Sequence, residues 1–187
     1  MSFARILNII LIGVCAWLLY SLNQDKQSAD IQVSPNIELP VFSGNELTNT
    51  TYNQQGIRNY QITSTSLDYY SNSGNTTFNA PTLLVYRDGT IVEWKISAKR
   101  GILTKNNVLT LYDDVTAENL LEGASFDTLN TTELSIFLSN NDFWTEKDVL
   151  LKGAQFETLS HAVKGNFSDQ VAELYNHVQG RYEILKP

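Results

Sequence analysis

A single cysteine occurs in 187 residues, and it stands at position 15 inside an uncharged apolar run. Everything beyond that run is free of thiols, so it forms no disulfide and must draw its stability from packing. Proline (4 residues) and glycine (10) are sparse while 42% of residues are hydrophobic, which excludes collagen-like and low-complexity classes and fits one globular domain with a core. Basic charge is also in deficit. Arg5 is the one charged residue before Asp25, and past residue 24 the chain carries 12 basic against 20 acidic groups. Affinity for nucleic acid rests on Lys and Arg neutralising phosphates, so nucleic acid is excluded as a partner. Catalytic signatures are missing too: no GxSxG, phosphate loop or GxGxxG occurs. His161 and His177 have no HxH, HExxH or cysteine companion and read as ordinary surface or strand histidines, and Asp113-Asp114 lacks EF-hand spacing and reads as a solvated turn. These gaps predict a protein that is not an enzyme and uses no cofactor and no metal. Four N-x-S/T triplets, at Asn49, Asn75, Asn130 and Asn166, are what chance supplies in a chain rich in Asn, Ser and Thr.

What is present begins with the apolar run. Residues 6–22 carry no charge, and a helix of that length spans about 26 Å, close to the thickness of a bilayer core. Phe3 and Ala4 before it, and Trp17 and Tyr20 toward its end, add length and interfacial aromatics. A cleavable signal would have a shorter core followed by a small-x-small site, which is absent here, and Val14 ill suits a lipidated Cys15. Arg5 and the α-amino group precede the span, whereas Asp25, Lys26 and Asp30 after it nearly cancel, so the N-terminus is expected in the cytoplasm and the bulk of the chain outside it. The expected organisation is residues 1–5 cytoplasmic, 6–22 a single-pass transmembrane helix, 23–46 a linker with one short extended piece at 37–42, and 47–187 an exported domain. Asn8, Gly13 and Ala16 are candidates for contact with neighbouring helices.

After residue 47 no helical period of ten or more residues occurs; period-2 alternation recurs, broken every eight to twelve residues by turn residues. The clearest unit is a hairpin over 83–98 in which Asp88-Gly89 turns the chain, Val92, Trp94, Ile96 and Ala98 share one face, and Glu93, Lys95 and Ser97 share the other. Tyr60-x-Ile62-x-Ser64 resembles Trp94-x-Ile96-x-Ala98, and Thr104-Lys-Asn-Asn-Val-Leu recurs as Thr145-Glu-Lys-Asp-Val-Leu, suggesting one stacked strand-turn-strand unit. Leu109 and Leu111, then Leu134, Ile136 and Leu138, repeat the phasing, with Asn106-Asn107 and Asn140-Asn141 as turns. A last strand is expected over 177–184, and because little sequence remains to cover it, its edge is a candidate for strand addition by a partner. The aromatic content, 8 Phe, 9 Tyr and 3 Trp, reads mostly as core, with a subset able to line an open slot between two sheets.

The string Tyr52-Asn53-x-x-Gly56, Tyr69-Tyr70-Ser71, Phe78-x-x-Pro81, Trp94-x-x-x-Ala98 and Leu103-Thr104 resembles the LptC family of lipopolysaccharide-export proteins. Downstream, Leu109-x-Leu111-Tyr112, Thr145, Gly153-x-x-Phe156, Gly165-Asn166, Ala172-Glu173-Leu174 and Tyr182-Glu183-Ile184 fall in the family's order and spacing. The resemblance implies an elongated, twisted, boat-shaped antiparallel β-jelly roll in the periplasm, anchored in the inner membrane. It also implies lipopolysaccharide received from an inner-membrane ABC transporter, whose permease subunits meet the N-terminal edge, and passed to the bridge protein LptA at the C-terminal edge. Family lipid-contact positions fall on Phe78, Ala172 and Tyr182. A further one, usually threonine, falls on Leu47, a departure from the pattern. Gly153 matches a glycine where a larger side chain impairs assembly, through either close backbone approach or positive φ. The competing readings are a membrane-anchored β-sandwich that acts as a structural or protein-docking module without lipid, and an anchored carbohydrate-binding domain.

Overall fold

The structure, a computed structural model, describes residues 38–182 and positions 13, 14, 17, 18 and 20, which are helical. Most of the expected anchor and linker lies outside the described residues, and among the described residues no helix is long and apolar enough to cross a membrane. The chain divides into two compact units, Met1–Ile37 and Glu38–Pro187, and the second is all β.

Among the described residues fourteen strands make one antiparallel sheet: β1 (Phe42–Tyr52), β2 (Arg58–Tyr70), β3 (Asn75–Asn79), β4 (Thr82–Arg87), β5 (Ile91–Ser97), β6 (Arg100–Leu103), β7 (Val108–Asn119), β8 (Thr128–Phe137), β9 (Asp142–Thr145), β10 (Val149–Gly153), β11 (Phe156–Ser160), β12 (Ala162–Asn166), β13 (Val171–Tyr175) and β14 (Gln179–Tyr182). Strand β1 starts at Phe42, so the end of the stretch read as linker is already sheet. Pairing is simpler than the count suggests. Strand β2 pairs with β3 along one half and β4 along the other; β7 pairs likewise with β6 and β5, and β8 with β9 and β10. Each short pair β3/β4, β5/β6, β9/β10, β11/β12 and β13/β14 is therefore one strand interrupted at a corner. Among the described residues the unit is a meander of nine bent rungs, each crossing from a first layer (β3, β6, β9, β12, β13) to a second (β4, β5, β10, β11, β14) at a common spine.

The corners have local causes. Ala80, Asp113, Asp114, Asn176 and His177 have positive φ, a conformation that Asp and Asn tolerate better than most residues and that redirects a strand. Asp113-Asp114 is not a turn that ends a strand: it is a bulge inside β7, where the pairing with β8 shifts between Tyr112 and Val115. The exposed carboxylates are met by Arg100 at 2.8 Å and by Lys99.

Inward side chains form cross-strand rows, the packing unit of a sheet. In the second layer Ile62, Leu83, Ile96, Ala117, Leu129 and Leu151 lie opposite one another in turn. In the first, Leu103, Leu109, Ile136, Phe143, Gly165 and Ala172 do the same. Most of these are fully buried and belong to one core. Tyr60 and Trp94 both lie opposite Val85, and Ile62 and Ile96 both opposite Leu83, so that sequence echo marks equivalent positions. The other echo does not. Its first copy is the β6–β7 turn and its second is the β9–β10 corner.

The hairpin expected over 83–98 forms, with Asp88 and Gly89 at φ 54° and 74° as its turn. A Cβ on Gly89 would stand 2.7 Å from Ile57 Cγ2, so the turn needs glycine both for φ and for space. Two assignments within it are overturned, since Val92 lies opposite Tyr86 and so faces away from Trp94, which lies opposite Val85. The register shifts between Val85 and Tyr86, leaving Glu93 as the extra residue on β5, and its carboxylate turns inward to 3% exposure.

Candidate functional site

At the far end of the meander the layers diverge around a cleft of about 590 Å³. The second layer supplies Leu151, Phe156, Thr158 and Tyr182; the first supplies Ala172 and Leu174; Val178 comes from the last corner, and Phe126 from the β7–β8 connection. Ser125, Thr158 and Gln170 are the uncharged polar members, and among the described residues no Asp, Glu, Lys or Arg lines the space. A cleft of this size with an apolar wall suits a hydrophobic ligand rather than a charged one. Its rim stays wet: Tyr182 is 75% exposed and Val171 55%.

Local pairing explains this geometry. Gly153, Phe156 and Tyr182 form one cross-strand row, with Phe156 directly opposite both neighbours. The Phe156 and Tyr182 rings are tilted with centroids 6.3 Å apart. A Cβ on Gly153 would lie 2.3 Å from Phe156 Cε1 and 2.8 Å from Cζ. Close approach of the ring is thus the reason for this glycine, since its φ is not positive. Ala172 ends the corresponding first-layer row at strand β13, beyond which no further strand pairs among the described residues.

The structure gathers Ala172 and Tyr182 at one cleft and sets Gly153 beneath its wall. Phe78 is elsewhere. It sits on β3 between Leu67 and Gly101, is 6% exposed and is packed into the core. Leu47 is half-buried on β1 opposite Ser64, and among the described residues β1 pairs only with β2. The expected strand over 177–184 begins later, at Gln179, because Asn176 and His177 form the corner; its last residues lie outside the described ones.

Phe126 and Gln170, which no period in the sequence marks, line the cleft and join it to buried side chains. Trp94, fully buried, has its ring centroid 5.1 Å from that of Phe126 and 4.8 Å from that of Phe167, and Phe167 stacks on Phe143 at 4.2 Å. The Trp94 indole N–H donates to the Phe167 carbonyl at 2.9 Å, joining the two layers across 73 residues of sequence. Beside it, Gln170 Nε2 donates to Glu93 Oε1 at 3.0 Å, and Arg87 pairs with the same carboxylate. The layers are rotated enough that the fourth rung of one meets the turn between the eighth and ninth rungs of the other.

The two histidines, far apart in sequence, meet at the spine with ring centroids 5.3 Å apart, and His161 Nδ1 contacts Asp148. Among the described residues no three side chains are grouped to hold a metal ion. Nearby, the Tyr175 phenol is pushed above its usual range by desolvation and then by Glu146, whose carboxylate accepts its hydrogen bond at 3.3 Å.

Comparison with known proteins supplies context for this geometry. A family model described as lipopolysaccharide-assembly, LptC-related, matches residues 8–183. The lipopolysaccharide export system protein LptC of Haemophilus influenzae is 28% identical over 199 residues, covering 97% of this chain and 94% of that one. The protein of the same name from Escherichia coli K12 is 27% identical over 184 residues, covering 98% and 96%. Among solved structures, LptH of Pseudomonas aeruginosa, described as the LptA-homologous periplasmic component of a lipopolysaccharide transport device, superposes with a TM-score of 0.51 at 8% identity, over 68% of this chain and 95% of that one. That last likeness concerns the fold alone.

Proposed function

The chain belongs to the LptC-related lipopolysaccharide-assembly family, and from that premise we propose that it is the inner-membrane-anchored member of the export machinery that takes lipopolysaccharide from an ABC transporter and hands it to the bridge protein LptA. Residues 6–22 serve as the single-pass anchor, with the N-terminus cytoplasmic and the β unit periplasmic. Phe78, Ala172 and Tyr182 contact the lipid, and Gly153 supports assembly of the complex.

The observation that carries this reading is the cleft that joins Ala172 and Tyr182 beside β13 and β14, uncharged and with both strand edges unpaired among the described residues. Acyl chains enter such a space with a gain of roughly 0.8 kcal/mol per buried CH₂, while sugars and phosphates remain at the wet rim. No bond is made or broken. Because several chains together bind tightly, transfer needs neighbouring sites of similar affinity, and the unpaired N–H and C=O groups of β13 and β14 suit a strand added by LptA. The permease subunits take the opposite edge, β1, and the anchor helix docks through Asn8, Gly13 and Ala16.

The test is photo-crosslinking in cells with a benzophenone amino acid at Ala172 or Tyr182, followed by transfer from the purified full chain to LptA. Lipopolysaccharide adducts at both positions and release to LptA are expected; no adduct at either removes the lipid reading. The close packing of Phe78 favours a second reading, a membrane-anchored β-sandwich that docks proteins and takes no lipid. That reading requires normal complex assembly with no adduct anywhere.

A further inference from the structure

Two observations do not fit a permanently open slot. Phe78 is packed into the core, whereas the cleft lies at the other end, and its near wall is made partly by Phe126 and Gln170. Gln170, held at φ 53° in the turn between β12 and β13, reaches across to Glu93, a carboxylate that the β5 bulge turns inward and buries. Burying a carboxylate is costly unless it is paired and hydrogen-bonded. Here Arg87 supplies the charge and Gln170 the hydrogen bond, and Gln170 belongs to the opposite layer. Stability alone would be served as well by an apolar residue at 93.

We propose that Arg87, Glu93 and Gln170 form an interlayer latch that holds the Trp94–Phe126–Phe167 cluster shut as a gate, so that Phe78, packed in the core here, comes to line one continuous slot with Ala172 and Tyr182 only when the latch releases. The groups involved fit a two-state device. The contacts between layers at this point are one indole hydrogen bond, one amide–carboxylate hydrogen bond and aromatic packing, whereas the contacts within each layer are continuous ladders. Opening therefore breaks few bonds and leaves both ladders whole. The latch belongs to the slot of the proposed function and rests on that reading only for what passes through; the opening itself belongs to the fold.

A charge swap tests it. Gln170→Glu puts a second carboxylate against Glu93 and is expected to open the gate. The double variant Glu93→Gln with Gln170→Glu restores one amide and one carboxylate and is expected to close it. Two readouts on the full chain in nanodiscs separate the ideas. With Cys15→Ser, Thr90→Cys and Asp169→Cys, spin labels on the two lips report their separation without any lipid. Gln170→Glu should lengthen and broaden it, and the double variant should return it. With benzophenone at 78, the lipopolysaccharide adduct should rise roughly tenfold in Gln170→Glu, as loss of a hydrogen bond to a charged group shifts a two-state equilibrium, and fall back in the double variant, while the adduct at 182 holds steady. An unchanged spin–spin distance, or a change that the swap does not reverse, overturns the latch. Normal distance changes with no adduct at 78 or 182 leave the latch standing and sink the lipid reading instead.

Discussion

Substituting Gly153 by alanine should weaken the protein through one identifiable ring. The added Cβ would fall 2.3 Å from Phe156 Cε1, 2.8 Å from Cζ and 2.9 Å from Cδ1, whereas carbon atoms in contact settle at about 3.5–4.0 Å. Phe156 must then move by about 1 Å or swing off its rotamer. The ring is caught between Gly153 and Tyr182 in a single cross-strand row, so it cannot move without altering the cleft wall. Overpacking of this kind costs about 1–3 kcal/mol, or a fall of roughly 3–10 °C in Tm for a unit of this size. Thermal unfolding of the full chain in detergent, followed by circular dichroism, measures it. The decisive control is Phe156→Ala, which removes the obstacle. In that background Gly153→Ala should cost less than about 0.5 kcal/mol, a coupling that a double-mutant cycle reads directly. An unchanged Tm for Gly153→Ala alone, or an equal cost in both backgrounds, would refute the steric account.

Trp94→Phe keeps most of the ring but removes the indole N–H, leaving the Phe167 carbonyl without that donor; a loss of about 1–3 kcal/mol is expected by denaturant titration. Thr131 carries a buried hydroxyl with no hydrogen-bond partner, so Thr131→Val should be neutral or raise stability by roughly 0.5–2 kcal/mol, and a lower Tm would count against this. Tyr182→Ala should leave stability within about 0.5 kcal/mol, because the residue is largely exposed, yet lower the lipid adduct formed at Ala172. Replacing Asp113 and Asp114 with Asn removes two exposed ion pairs and should cost less than about 1 kcal/mol.

Strands with strict alternation were legible from the sequence. Leu109 and Leu111, Leu134 and Ile136, and the hairpin around Asp88-Gly89 needed no tertiary information, because one buried face fixes register. Bulges were not. A single extra residue reverses the face of a side chain, which is how Glu93 passed for a solvent-facing residue and Asp113-Asp114 for a turn. The signal available for Glu93 was a charge between Val92 and Trp94 in a strand whose partner, β4, runs apolar through Leu83, Leu84 and Val85. Phe126 and Phe167 lie in connections with no period to read, and their meeting with Trp94 depends on how far the layers rotate. The cleft itself joins β10, β11, β13 and β14 with Ser125 and Phe126 of the β7–β8 connection. Ala172 and Tyr182 were named from family resemblance, since nothing in the spacing of either one marks a shared cavity.

The bent rung also sets a condition on whatever meets the last edge. Strands β13 and β14 are two stretches of one rung, divided by the corner at Asn176 and His177, and among the described residues each pairs on one side only. A stray flat strand can satisfy the first stretch or the second. Satisfying both requires a partner whose own edge bends at the same place, as a chain built on the same meander does. The corner thereby acts as an AND condition on recognition: it withholds half of the backbone pairing from straight strands and so adds to Glu173 and Arg181, the charges carried by the two stretches, in protecting the edge from indiscriminate aggregation.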